Sequence, residues 1–169
     1  MTKDRSKAAT PATASLQAAG VEFRVHEFDH VPGARNYGLV AAEALSIDPD
    51  QVFKTLLAQL GGQRDGESIA VGIVPVSGQL SLKELAAAIH AKRAEMCDPV
   101  VAERVTGYVV GGISPFGQKK LLPTVIDEMC LLYDTIFVSG GKRGLDIEIA
   151  PADLVSLLSA VVAPIGIPR

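Results

Sequence analysis

Cysteine is scarce in this chain, with two residues, Cys97 and Cys130, among 169. They form no C-x-x-C pair and stand beside apolar neighbours, so they read as reduced, packed thiols of a cytoplasmic protein rather than as a disulfide framework. A chain of this length buries roughly 70% of the surface it exposes when unfolded, so its core needs no disulfide or metal to hold it together. Histidine is sparse too. His26 and His30 share a spacing seen in metal sites, but they fall in or just after an expected strand and no further histidine or acidic cluster completes a zinc set. His90 falls inside an expected helix, where a surface or interhelical role is the default. No metal or other cofactor is expected.

Long apolar runs are also missing. The most apolar segment, Leu154 to Ile167, is interrupted by Ser156, Ser159, Pro164 and Gly166 and is too short to span a bilayer. Met1 to Lys7 is polar and charged with no apolar stretch behind it, so neither a secretory signal nor a membrane anchor is expected. An excess of positive charge is lacking as well. Sixteen Lys and Arg stand against 19 Asp and Glu, a formal net charge of −3, which gives no global field for attracting nucleic acid. Any RNA contact must then use local groups, for which Lys92-Arg93, Lys119-Lys120 and Lys142-Arg143 are candidates; each pair alone also reads as a solvated turn.

What is present is the composition of an ordinary globular domain, 48% hydrophobic and 21% charged. The chain divides into a flexible N-terminus, residues 1–9, and a single domain, residues 10–169. Thr10, Pro11 and Gly20 punctuate a first helix. Val21, Phe23 and Val25 alternate as one face of a strand, and a second helix is expected within Tyr37 to Leu45. Gln51 to Leu60 and Ser68 to Val74 read as core strands across the polar loop Gly61 to Glu67. Ser81 with Glu84 forms a capping box for a helix to about Ala91, with Leu82, Leu85 and Ile89 on its buried stripe. Asp98-Pro99 opens a short helix that Gly107 closes. Tyr108 to Val110, Leu121 to Ile126, Thr135 to Val138 and Leu145 to Ile149 are further strand candidates, and a last helix starts near Pro151. Strands and helices do not alternate regularly, which predicts an α+β fold with a mixed, curved sheet and flanking helices.

Three features could carry chemistry. Lys54 interrupts the apolar run Val52-Phe53-Lys54-Thr55-Leu56-Leu57, so its ammonium either lines a cleft or snorkels from an edge strand. Gly111-Gly112-Ile113-Ser114-Pro115-Phe116-Gly117 is a rigid loop whose glycines allow close backbone approach and whose N–H groups could receive an anion or oxyanion; a plain connection would use the same residues. It lacks the G-x-S-x-G spacing, so Ser114 is not the nucleophile of a serine hydrolase. Ser139-Gly140-Gly141-Lys142-Arg143-Gly144-Leu145-Asp146 is a glycine-rich turn without the spacing of a phosphate loop. Asp146, alternating with Leu145 and Ile147, points into a cleft or into solvent.

Taken in order, Gln51 to Leu56, Thr106 to Lys120 and Val138 to Glu148 resemble the YbaK/ProX aminoacyl-tRNA editing family, and the resemblance extends from about Ser15 to Ala160. It implies a mixed sheet forming a partly open barrel with flanking helices. It also implies hydrolysis of the ester joining a wrong amino acid to transfer RNA, most closely cysteine on the proline transfer RNA, with prolyl-tRNA synthetase as a possible partner in a ternary complex and no role for DNA or membrane. In that scheme Lys54, Gly111, Ser139 and Asp146 are the catalytic set. Lys54 anchors the 3′-terminal ribose or phosphate, and Gly111 offers its backbone to the scissile ester. Ser139 and Asp146 hold the substrate, Phe28 and Tyr37 form an aromatic wall, and Gly112, Ile113, Ser114, Pro115, Phe116 and Gly117 shape the pocket. Relatives often carry tyrosine at the position of Phe28, so this chain departs from the pattern by one hydroxyl. Two other readings stay open: a deacylase for alanine or another small amino acid, and a module that binds aminoacylated RNA or a synthetase without turnover.

Overall fold

The computed structural model describes residues 9–61 and 68–168, so most of the expected N-terminal tail and of the loop between the first two core strands lie outside the described residues. In chain order the elements are α1 (Pro11–Ala19), β1 (Arg24–Glu27), α2 (Tyr37–Leu45), β2 (Phe53–Gly61), β3 (Ser68–Pro75), β4 (Gly78–Leu80), α3 (Leu82–Ala88) and β5 (Arg93–Met96). They continue with α4 (Pro99–Thr106), β6 (Thr124–Asp127), a 3-10 turn (Glu128–Leu132), β7 (Ile136–Lys142), β8 (Leu145–Ile149), α5 (Pro151–Leu158), β9 (Val161–Ala163) and β10 (Gly166–Pro168).

The strands form a five-stranded sheet in the order β5-β2-β3-β6-β9, a three-stranded sheet β1-β8-β7 and a two-stranded pair β10-β4. The largest sheet is mixed: β5, β2 and β3 run antiparallel, whereas β3, β6 and β9 are parallel neighbours. This is the expected α+β architecture, but the sheets are not closed into a barrel. Among the described residues the two larger sheets meet at an isolated parallel bridge, Val52 with Phe137, where the Phe137 N–H donates to the Gln51 carbonyl at 3.1 Å. Beyond it β2 turns to pair with β3 and β5, leaving a gap rather than a continuous ladder.

The main core lies between these sheets and the helices. Ile136, Val138, Ile147 and Ile149 on one face of the small sheet pack with Phe53, Leu57, Ile73 and Ile126 of the large one, and α1 and α5 add Leu16 and Leu154. The opposite face of the small sheet carries Phe137, Ser139, Asp146 and Glu148, since alternate residues of a strand face opposite ways. Phe137 packs with Ala42 of α2, Val52 and Val76 in a separate small cluster.

Local signals place the elements. The Thr10 and Thr13 side chains cap each other's backbone at the start of α1, and Gly20 ends the helix at φ 69°. Helix α3 stops at Ala88, short of Ala91, because His90 adopts φ 59°. Strand β1 starts at Arg24, while Val21 and Phe23 before it pack on the core as irregular chain. Leu121 to Pro123 do not join β6: Leu121 is exposed, and pairing begins at Thr124, where the parallel register with Val71 begins. Tyr108 to Val110 is not a strand. Tyr108 is buried with its hydroxyl donating to the Phe116 carbonyl at 2.6 Å, so the apolar residues there brace a loop instead of a sheet.

At the end of β6, Asp127 is 3% exposed and its carboxylate accepts from the backbone N–H groups of Met129, Ile165 and Gly166 at 3.1, 3.0 and 2.7 Å. It ties the C-terminal segment to the sheet. Asp127→Ala should destabilise the protein by about 2–4 kcal/mol by stranding these donors, with Asp127→Asn losing less, as urea unfolding will measure.

Candidate functional site

The gap between the two larger sheets is a cleft of about 400 Å³, lined from several elements. Strand β2 supplies Lys54 and Thr55, α2 supplies Tyr37, and the segment before it supplies Phe28, His30 and Arg35. The glycine loop supplies Gly111 and Ile113, and β7, β8 and their turn supply Ser139, Lys142, Arg143 and Asp146. Met96 and Cys97 close the far side at the end of β5.

The glycine loop owes its position to close approach. Gly111 has φ +88°, and a Cβ there would lie 2.7 Å from Tyr37 Cδ2 and 2.9 Å from Arg143 Nε. A Cβ on Gly112 would lie 2.8 Å from the Lys142 Cα, so backbone meets backbone. Three consecutive amides of this loop are disposed differently. The Val110 N–H donates to Glu103 Oε2 at 3.0 Å and the Gly112 N–H donates to the Val109 carbonyl at 2.9 Å. Between them, the Gly111 N–H makes no hydrogen bond to the described residues. An unoccupied backbone donor at a cleft wall is what a developing oxyanion needs.

Lys54 is half-buried and its Nζ donates to the Gly78 carbonyl at 2.8 Å, which resolves the two readings of its position in favour of the cleft. Asp146 is 6% exposed and its carboxyl forms no hydrogen bond or ion pair with the described residues. Burial alone raises its pKa from 3.8 to about 7. Ser139 lies opposite Asp146 in the β7–β8 register, with its Oγ accepting from the Gly141 N–H at 3.2 Å across the bulge that follows. Thr55 is a residue that sequence reasoning missed: its Oγ1 is buried and has no hydrogen-bond partner among the described residues, and the residue lines the cleft. Its only signal in the sequence was a hydroxyl inside an apolar strand. Cys97 also lines the cleft, with its thiol pKa pushed up by burial and then by Asp98, which keeps it protonated and a poor nucleophile.

The expected site is therefore brought together in part. Lys54, Gly111, Ser139, Asp146, Phe28, Tyr37 and Ile113 line the cleft. Gly112, Ser114, Pro115, Phe116 and Gly117 do not; they form the loop's support. Ser114 and Phe116 are buried, and a Cβ on Gly117 would overlap the Pro11 carbonyl at the start of α1. The Thr10 hydroxyl, from the same helix end, donates to the Gly140 carbonyl at 2.6 Å and so steadies the second glycine turn. The two histidines separate: His30 lines the cleft, whereas His26 Nε2 lies 2.9 Å from Glu148 Oε1. The Thr135 hydroxyl, at 2.7 Å from Glu148 Oε2, and then His26 hold that carboxyl below its usual range. Of the three basic pairs, only Lys142-Arg143 reaches the cleft. With Lys54 and Arg35 they make its lining rich in cations despite the chain's net negative charge.

Residues 32–157 match the aminoacyl-tRNA editing domain family. The EbsC protein of Enterococcus faecalis, provisionally assigned as a Cys-tRNA(Pro)/Cys-tRNA(Cys) deacylase, is 36% identical over 98% of this chain and 98% of its own. The multifunctional Ser/Thr-tRNA deacylase ProXp-y of Escherichia coli K12 is 26% identical over 85% of this chain and 84% of its own. Among solved structures, a protein provisionally assigned as a trans-editing enzyme for prolyl-tRNA synthetase superposes with a TM-score of 0.79 at 21% identity, covering 99% of both chains. No helix among the described residues is long and apolar enough to cross a membrane.

The unpartnered Asp146 has a measurable signature. A carboxyl whose folded pKa is raised favours the folded state only while protonated, so its contribution is lost as pH rises from 3.8 through about 7. Asp146→Asn should therefore be more stable than the parent by a few kcal/mol above about pH 7, with the gap shrinking as pH falls toward 5. Thermal unfolding at several pH values checks this, and a gap that does not change with pH would show that burial leaves the carboxyl unshifted.

Proposed function

Because the chain belongs to the aminoacyl-tRNA editing domain family, we propose that it deacylates mischarged transfer RNA in trans, with cysteine on the proline transfer RNA as its substrate. The observation that carries this reading is the Gly111 N–H, which has no partner among the described residues, on the wall of a cleft of about 400 Å³.

An aminoacyl ester is already activated, so orientation and oxyanion stabilisation supply most of what its cleavage needs. The substrate's own thiol serves as nucleophile. Its sulfur adds to the ester carbonyl carbon, and the oxygen, now negatively charged, is received by the Gly111 N–H. The ester C–O bond then breaks, the ribose oxygen takes up the thiol's proton, and the four-membered thiolactone left behind hydrolyses in water. Lys54 anchors the ribose or phosphate of the RNA end. Asp146 and Ser139 hold the amino acid, and its α-ammonium gives Asp146 the ionic partner it lacks, favouring the ionised carboxylate. Phe28 and Tyr37 flank the bound end. No cofactor enters this scheme.

A proline-activating pocket cannot strongly reject cysteine, because small differences of size are worth only about 1–3 kcal/mol, and a second hydrolytic sieve answers that limit. Sequence likeness to the enterococcal relative supports cysteine as the substrate. The net charge of −3 supports weak intrinsic RNA affinity, and a synthetase that retains the RNA in a ternary complex would compensate for it.

The test is release of amino acid from proline transfer RNA charged separately with cysteine, alanine and serine, using catalytic amounts of protein. Cysteine should be released at least about tenfold faster than the nearly isosteric serine, since a hydroxyl is a far weaker nucleophile than a thiol. Equal rates would replace the substrate thiol with water as nucleophile, and tight binding without turnover would make the protein a binding module. Lys54→Ala should raise the apparent KM about tenfold or more, the loss of a charge-assisted contact; unchanged kinetics would remove Lys54 from the RNA-binding role.

A further inference from the structure

The backbone at Val110 is held by charged side chains on both its N–H and its carbonyl. Arg143, in the turn between β7 and β8, directs two donors at one acceptor: its Nε and Nη2 lie 3.0 and 2.7 Å from the Val110 carbonyl oxygen. The guanidinium carbon also stands 4.6 Å from the centre of the Tyr37 ring, and that ring abuts Gly111. On the other side of Val110, the Glu103 carboxylate takes its N–H. One residue's two backbone groups are thus fixed by two charged side chains from different elements.

In a trans peptide the carbonyl and the following N–H point in opposite directions. Fixing the Val110 carbonyl toward Arg143 therefore fixes the Gly111 N–H away from it. A cation on the carbonyl oxygen also polarises the amide, making its N–H a stronger donor. We infer that Arg143 is a positioning residue for the deacylation: it sets the direction and strength of the Gly111 N–H that receives the oxyanion. This rests on the reading of the site as a deacylase.

The alternative role for Arg143 is that of a basic group attracting phosphate. The two roles separate by chemistry. A planar guanidinium can chelate one carbonyl with two nitrogens while lying flat on an aromatic ring; an ammonium keeps the charge but cannot do either. Arg143 is exposed, so replacing it leaves the core intact.

The experiment compares the parent protein with Arg143→Lys and Arg143→Ala on cysteine-charged proline transfer RNA, and follows the Gly111 backbone amide of each by NMR without RNA. Positioning predicts that Arg143→Lys lowers kcat about tenfold or more, part of what a lost oxyanion donor costs, with KM changed less than about twofold. It also predicts a moved Gly111 amide resonance while signals from the core stay in place. A lysine variant with parental kcat, or variants acting through KM alone, would overturn the inference in favour of phosphate attraction. If the parent releases no amino acid from any charged RNA, the deacylase reading falls. The amide resonance then decides the Arg143 contact separately, and an unmoved Gly111 signal in both variants overturns it.

Discussion

The site rests on one steric constraint, the approach of two glycine-bearing turns to within backbone contact. Gly111 and Gly112 sit where any side chain would strike Tyr37, Arg143 or the Lys142 backbone. Because no side chain intervenes, the loop after α4 lies directly on the turn between β7 and β8. That contact brings a backbone amide from one part of the chain beside Ser139, Arg143 and Asp146 from another. Lys54 and Thr55 then contribute to the lining from the other sheet. The missing ladder between β2 and β7 belongs to the same arrangement, since the two sheets meet at a single bridge and the cleft opens beside it.

Three groups without a partner among the described residues line this cleft. Asp146 is buried without a partner, and the Thr55 hydroxyl and the Gly111 N–H are likewise unanswered by the described residues. Two carboxylates outside the cleft are bonded: Asp127 takes three backbone donors, and Glu148 is held by Thr135 and His26. Buried polar groups normally find partners, so a cluster that does not marks a surface shaped for something that arrives later. The protein provides no activated thiol there, since Cys97 is held protonated by its surroundings. Position and polarisation are what it offers.

Much of the fold was legible where side chain and backbone requirements coincide. Thr10, Pro11 and Gly20 bracket α1, and Leu145 to Ile149 alternates and forms β8 without adjustment. The short strands β4, β5, β9 and β10 were not legible, because three or four residues on a partly exposed edge carry no alternation to read. Tyr108 to Val110 misled because apolar composition does not distinguish a strand from a loop brace. The candidate site was legible in its blocks but not in its divisions. Ser114, Phe116 and Gly117 share a motif with Gly111 yet serve as its foundation, the first two buried and Gly117 set against the start of α1. Arg143 looked like half of a basic pair, since composition shows a charge and not the carbonyl that two of its nitrogens hold.

The way the Gly111 peptide is secured has a consequence for how such a cleft can diverge. Its donor belongs to the main chain and is anchored from Glu103 and Arg143, whereas Phe28, Thr55, Met96 and Cys97 reach the cleft from separate elements. None of those four side chains is bonded to the Gly111 peptide, so exchanging them leaves the two anchors of that peptide in place. In the proposed scheme the oxyanion donor stays in place whatever the walls admit, but the nucleophile comes with the amino acid, so a change of walls keeps one half of the catalysis and must replace the other.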